Sequence, residues 1–278
     1  MGLLYNRLLI NRLLIILNEE NPDSTYYHIA LTMLRHNETL HEIPIHKLAE
    51  LCNVSKSTIS KFIRMIGYED FADFRYATAF TDSHMERSNY FTNVMGYIRQ
   101  NSMDAYICSV YQDIAATYTL LDWSAIDRLV RDLDRYQKVA AFGLMFSETA
   151  ALDFQTKLAH SQKFIVTNLN DLKQEQFIRN ADKDTLLIIF SDSGQFIDKY
   201  ANVDDLEGKP LFSQTKARVV LVTSNTAMAN DPRVDYCIFY KKTRSICNHR
   251  ILYGILTDII AYKYWEYAQN QSLPESGA

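Results

Sequence analysis

The chain has 278 residues and a formal net charge of -4, from 29 Lys and Arg against 33 Asp and Glu. With 47% hydrophobic and 22% charged residues it has the balance of soluble globular domains, which excludes a disordered, collagen-like or membrane-embedded chain. Near-neutral charge supplies no overall basic field, so a nucleic-acid partner requires positive charge gathered locally.

From the start, Leu3 to Leu17 is rich in Leu and Ile, but Asn6, Arg7, Asn11 and Arg12 interrupt it. Its apolar runs are far shorter than the roughly 20 residues of a membrane span. Arg7, Asn11 and Asn18 share one narrow helical stripe, so the remaining girth must be covered, either by the chain's own core or by a second copy. No membrane partner and a cytoplasmic location are the expectation. The scattered Cys52, Cys108, Cys237 and Cys247 form neither a disulfide framework nor a zinc ribbon, and His41, His46 and Cys52 fit no metal template. No metal or cofactor is expected.

Ser24 to about Phe80 reads as short helices. Tyr27, Ala30, Leu31 and Leu34 keep helical spacing, and Asn37 offers a stop. After Pro44, Ile45–Cys52 predicts a short helix, Asn53-Val54-Ser55 a turn, and Lys56–Ile66 a second helix ended by Gly67, a residue at ease in the left-handed conformation. Leu48, Leu51 and Val54 are expected to pack on Ile59, Phe62, Ile63 and Ile66. That leaves Ser55, Lys56, Ser57, Thr58, Ser60, Lys61 and Arg64 facing outward, with no acid between Ser55 and Ile66. Such a face suits double-stranded DNA: cations neutralise phosphates, and short hydroxyls at a helix start approach base edges and backbone. Ser55 equally suits a helix N-cap.

Beyond Arg75 the pattern loosens through Thr81-Asp82-Ser83-His84, then a helical run is expected from about Tyr90 to Leu121. Apolar bursts follow at Val139–Phe142, Phe164–Val166, Leu186–Phe190, Val219–Val222 and Cys237–Tyr240, separated by helix-length stretches. Continuously apolar strands alternating with helices predict a five-stranded parallel sheet flanked by helices. A final aromatic helix is expected from about Ile246 to Tyr267, carrying Tyr253, Tyr262, Tyr264 and Trp265. The fold class is thus an all-α helix-turn-helix domain followed by an α/β domain. The expected division is 1–80 for the first, 81–120 for a helical linker, 121–270 for the second and 271–278 for a tail.

Leu48-Ala49, Val54-Ser55, Thr58-Ile59-Ser60-Lys61-Phe62 and Gly67-Tyr68 stand at the spacing of the core of RpiR/MurR-type bacterial transcriptional regulators, which this segment closely resembles. Lys61 replaces the usual arginine and loses its bidentate fork. The resemblance implies a C-terminal sugar isomerase (SIS) domain that dimerises or tetramerises and senses a phosphorylated sugar. Gly143, Ser147, Lys157 and Leu158 match its first loop and helix, with Met145 where a second glycine stands. Ser191, Ser193 and Gly194 match its phosphate loop, with Asp192 adding negative charge and Phe196 replacing a threonine hydroxyl. That loop is expected to open a helix whose amides cradle phosphate. Thr223-Ser224-Asn225 resembles another edge loop. The alternatives are a domain kept for dimerisation with its ligand site lost, and an isomerase using Glu148 or His249 as base.

Overall fold

The computed structural model describes residues 2–79, 94–198, 211–242 and 249–272, and the side chains of all of these except 2–7, 249 and 272. Two compact units divide the chain: residues 1–92 with 170–172, and residues 93–169 with 173–278. Among the described residues no helix is long and apolar enough to cross a membrane.

The first unit is all helix: α1 (Gly2–Glu19), α2 (Thr25–Arg35), α3 (Ile45–Leu51), α4 (Lys56–Met65) and α5 (Phe71–Ala79). Leu9 and Leu13 of α1 enter one core with Ile29, Ala30 and Met33 of α2, Leu48 and Ala49 of α3, Ile59, Phe62 and Ile63 of α4, and Phe74 of α5. Much of α1's apolar girth is therefore covered within the unit, although Leu14 remains exposed. Leu51 departs from expectation: it is 38% exposed, and Ala49 and Cys52 take its place in the core. The reason is phase, since Leu48 and Cys52 stand one turn apart on one face while Leu51 ends the helix on its edge.

Asn53 sits at φ 53, and Val54 N–H reaches back to the Ala49 carbonyl at 2.9 Å. This left-handed closure turns the chain from α3 into α4. Gly67 ends α4 in the same way at φ 92, with Tyr68 N–H on the Ile63 carbonyl at 3.2 Å.

The second unit opens with α6 (Gly96–Gln100) and α7 (Met103–Leu120). The continuous helix expected over Tyr90–Leu121 is thus broken at Asn101-Ser102, where the Ser102 hydroxyl accepts from Ala105 N–H at 3.0 Å and caps a new helix. Residues 80–93, including the expected Thr81–His84 loop, and residues 273–278 of the expected tail lie outside the described residues. There follow α8 (Trp123–Arg135), β1 (Lys138–Gly143), α9 (Glu148–Ala159), α10 (Asp171–Asn180), β2 (Thr185–Phe190), α11 (Leu211–Gln214), β3 (Arg218–Thr223), β4 (Tyr236–Phe239) and α12 (His249–Ser272).

The sheet is parallel, in the order β1-β2-β3-β4. It has four strands rather than five. The Phe164–Val166 burst contributes only a parallel bridge between Val166 and Ala140, because Phe164 and Val166 stand 70% and 48% exposed and Ile165 alone turns into the core. Side chains alternate across the sheet. Val139, Ala141, Ile188, Phe190, Val220 and Ile238 pack with α8, α9 and α12, while Ala140, Phe142, Leu187, Ile189, Leu221 and Cys237 pack with Ile178, Phe196 and Phe212.

Val166 bridges one edge of β1 and β2 pairs with the other, so the chain leaves β1 to one side and returns on the opposite side. Helix α9 covers one face and α10 the other. The carboxyl end of β1 is therefore a topological switch point, where open parallel sheets form a crevice between loops. Replacing Asn53 by Val, a β-branched residue in the left-handed region, is expected to destabilise the first unit by about 1–2 kcal/mol, whereas Asn53→Gly should be nearly neutral. Urea unfolding of the two variants checks this.

Candidate functional site

Two groups of residues carry the candidate chemistry. In the first unit, α4 is started by Ser55, whose hydroxyl oxygen accepts from Thr58 N–H at 3.1 Å. Ser57 Oγ and Thr58 Oγ1 lie 2.7 and 2.8 Å from Ser55 Oγ, so three hydroxyls cluster around the helix start. Ser55 is thus engaged as the N-cap as well as standing exposed.

Ile59, Phe62 and Ile63 anchor the helix inward, and Lys56, Lys61 and Arg64 are exposed on the other side, with Thr58 and Ser60 half-buried beside them. Lys47 is paired with Glu50 at 3.0 Å, but no described acid lies within ion-pair distance of Lys56, Lys61 or Arg64. Cationic charge and the positive end of the helix dipole therefore share one open face.

In the second unit, the loops after β1 and β2 flank the switch point. Gly143 ends β1 where an added Cβ would stand 2.5 Å from the Ser147 carbonyl carbon and oxygen, so only glycine fits. Met145, at the position of the missing glycine, keeps the left-handed backbone at φ 57. Losing the glycine has left the turn's shape intact and added strain to it. Ser147 is buried at the start of α9, and its side chain makes no capping bond. Beyond it Lys157 is a cross-tie rather than a site residue: its ammonium lies 2.7 Å from both Asp153 and Asp258 and donates to Thr257 Oγ1 at 2.9 Å. Leu158 is core.

The loop after β2 departs further from expectation. Ser191 is buried and its hydroxyl accepts from Phe196 N–H at 3.2 Å, while Ser193 is exposed. Gly194 has φ 83 and would press a Cβ to 2.7 Å from the Met228 sulfur. Residues 191–198 make tight turns instead of opening a helix, and the next described helix begins at Leu211. Phe196 fills no cradle. It is 3% exposed and packs edge-on against Phe212, 5.7 Å between centroids, in the core on the α10 face.

Asp192 is not a free negative charge. Its carboxylate accepts from Lys242 Nζ at 2.6 Å, from Ser224 Oγ at 2.7 Å and, through a very short bond, from the Tyr240 phenol. Burial alone would raise its pKa, but the Lys242, Tyr240 and Ser224 donors outweigh it and hold the group below its ordinary 3.8. Burial, together with neighbouring Tyr253 and Asp192, pushes the Tyr240 phenol far up, so it remains a donor.

Thr223 Oγ1 donates to the Asp192 carbonyl at 2.8 Å and Asn225 Nδ2 to the Ser193 carbonyl at 2.9 Å. The Thr223-Ser224-Asn225 segment thus braces the β2 loop. On the β1 side, fully buried Gln174 donates from Nε2 to the Gly143 carbonyl at 2.8 Å and the Asn168 carbonyl at 2.6 Å. Its Oε1 is buried without a hydrogen-bond partner, which leaves an acceptor for a hydroxyl or water beside the switch point.

Gly143, Ser147, Ser191, Ser193 and Gly194 accordingly all lie in the two loops at the carboxyl edge. Lys242, Tyr240 and Gln174 are additions from the structure. Lys242 was within reach of sequence reasoning, since it follows an apolar strand burst and so stands at the same edge, but nothing local signals its pairing with Asp192, fifty residues earlier. Glu148 is 9% exposed in the first turn of α9, and the His249 side chain lies outside the described ones.

Residues 18–85 match the model of the helix-turn-helix domain, rpiR family. The HTH-type transcriptional regulator HexR of Escherichia coli (strain K12) is 26% identical over 160 residues, covering 54% of this chain and 52% of HexR. The chain thus spans about half the length of that curated relative. Among solved structures, the Vibrio vulnificus NanR protein complexed with ManNAc-6P aligns over 95% of this chain and 96% of its own, at 16% identity and a TM-score of 0.47. The sugar isomerase domain of an RpiR transcription factor from Sphaerobacter thermophilus aligns over 59% and 92%, at 14% identity and a TM-score of 0.41.

Two measurements test the edge geometry. Met145→Gly should be more stable than Met145→Ala by about 1 kcal/mol, because alanine keeps the left-handed strain and glycine does not; urea titration of the pair decides it. For Asp192, a lowered folded pKa means stability present above the ordinary carboxylate value and lost as pH falls through the lowered one. Asp192→Asn should therefore cost about 1–2 kcal/mol at pH 7, and the cost should shrink below pH 3.8.

Proposed function

With residues 18–85 forming an rpiR-family helix-turn-helix domain, we propose that the chain is a sugar-phosphate-responsive transcriptional regulator that reads an operator in double-stranded DNA. The observation that carries this reading is the α4 surface: Lys56, Lys61 and Arg64 exposed without described acidic partners, on a helix locked in place by Ile59, Phe62 and Ile63. Lys56, Lys61 and Arg64 contact phosphates and base edges, with Ser57, Thr58 and Ser60 beside them at the groove. Ser55 fixes the helix start against the backbone, where the free amides favour a phosphate.

The effector site is assigned to the switch-point crevice, with Gly143, Ser147, Ser191, Ser193 and Gly194 supplying backbone approach, amides and hydroxyls. Asp192 does not repel an anionic ligand outright, because Lys242 neutralises it. The domain senses rather than turns over its ligand: effector binding shifts the population of DNA-binding geometries.

Mobility shifts at graded salt test the first part. Lys61→Gln should weaken binding to every sequence alike and reduce the salt slope by about 1, with the thermal unfolding midpoint unchanged; unaltered affinity and slope would remove Lys61 from the interface. For the effector, saturable thermal stabilisation by a sugar phosphate should vanish in Ser193→Ala. Stabilisation that persists undiminished would move the site elsewhere.

A further inference from the structure

Helix α7 is amphipathic in the reverse sense. Its buried face is polar: Ser109, Asp113 and Thr117, one turn apart, are 2%, 0% and 1% exposed. Its exposed face is apolar: Met103, Ile107, Tyr111 and Tyr118 stand 56%, 42%, 68% and 59% in solvent. At about 100° per residue these four fall within a wedge of about 80°, roughly opposite the buried stripe. Trp123 at the start of α8, 40% exposed, extends the patch edge-on to Tyr118 at 5.8 Å between centroids.

The helix cannot roll to hide this stripe. The Thr117 hydroxyl donates to the Lys241 carbonyl at 3.0 Å and accepts from Lys241 N–H at 3.2 Å, fixing the polar side inward. Another body must cover the apolar side if it is to be covered at all.

We infer that this body is a second copy of the chain, docked α7 against α7 about a two-fold axis near Tyr111. Charge argues for it first. Between Met103 and Leu120 the only charged residues are Asp104 and the fully buried Asp113, so the stripe offers nothing to a charged partner and suits an equally uncharged surface. A second copy presents one of identical length, about 27 Å for an 18-residue helix.

Area argues next. With about 150–250 Å² on each aromatic side chain, the five exposed side chains present on the order of 600 Å². A stable interface buries about 800 Å² per partner, which the flanking residues of the same face bring within reach. Register argues third. Antiparallel pairing centred on Tyr111 sets Ile107 against the small Ala115 and Met103 against the Tyr118-Thr119 end, so large meets small on both sides of an isologous contact. This inference does not depend on what the carboxyl-edge site binds.

Sedimentation equilibrium on the full chain at tens of micromolar tests it. The wild-type chain should show at least twice the single-chain mass, and Ile107→Arg with Tyr111→Arg should halve that mass without altering the far-ultraviolet circular dichroism, since both residues are exposed. Ile107→Lys and Ala115→Glu should each lower the mass alone and restore it when combined, because antiparallel pairing brings the opposite charges together. A wild-type chain of single-chain mass, or a double-arginine variant that keeps the wild-type mass, would overturn the assignment. Failure of the charge pair to restore mass would overturn the antiparallel register.

Discussion

Burial of the parallel sheet on both faces is the constraint from which the second unit follows. Strand β2 is buried at every position, and its residues alternate between two separate cores. Neither core exists without helices on its side, so α9 and α10 must lie on opposite faces. The only route that permits this takes the chain off one edge of β1 and back onto the other. The crevice at the end of β1 is a consequence of that routing rather than a feature added to it. Gly143, Ser147 and Gln174 meet there because two crossovers diverge there, and the β2 loop joins them as the neighbouring carboxyl end.

The turn between α3 and α4 has the same character at smaller scale. A left-handed Asn53 and a left-handed Gly67 bracket the helix, and the buried Ile59, Phe62 and Ile63 fix its rotation. With both ends and the roll angle determined, Lys56, Lys61 and Arg64 have one side of the helix open to them. Local charge thus accumulates on a chain whose total charge is negative.

Much of this was legible in the sequence because it rests on short-range periodicity. The spacing of Ile59, Phe62, Ile63 and Ile66 gave the inward face of α4 directly, and the strand bursts gave the parallel sheet. What was not legible depends on partners distant in sequence. The Phe164–Val166 burst reads as a strand by composition, yet only Ile165 finds a core to enter. Phe196 reads as an intruder in a ligand loop until Phe212 appears beside it. Asp192 reads as a repulsive charge until Lys242 and Tyr240 close on it from the end of β4. Leu51 and Cys52 exchange roles because one residue of helical phase decides which lies over the core.

Met145 illustrates what a retained turn costs. Its neighbours Gly143 and Ser147 are packed too closely for the loop to take another path, so a side-chain-bearing residue is held where glycine would rest without penalty. Roughly 1 kcal/mol of conformational energy is therefore stored at the mouth of the crevice. A rearrangement that releases residue 145 into the right-handed region recovers that energy and begins with about a fivefold head start in its equilibrium. The loop after β1 is in this sense a cocked spring: of all segments around the crevice, it is the one whose displacement the fold resists least.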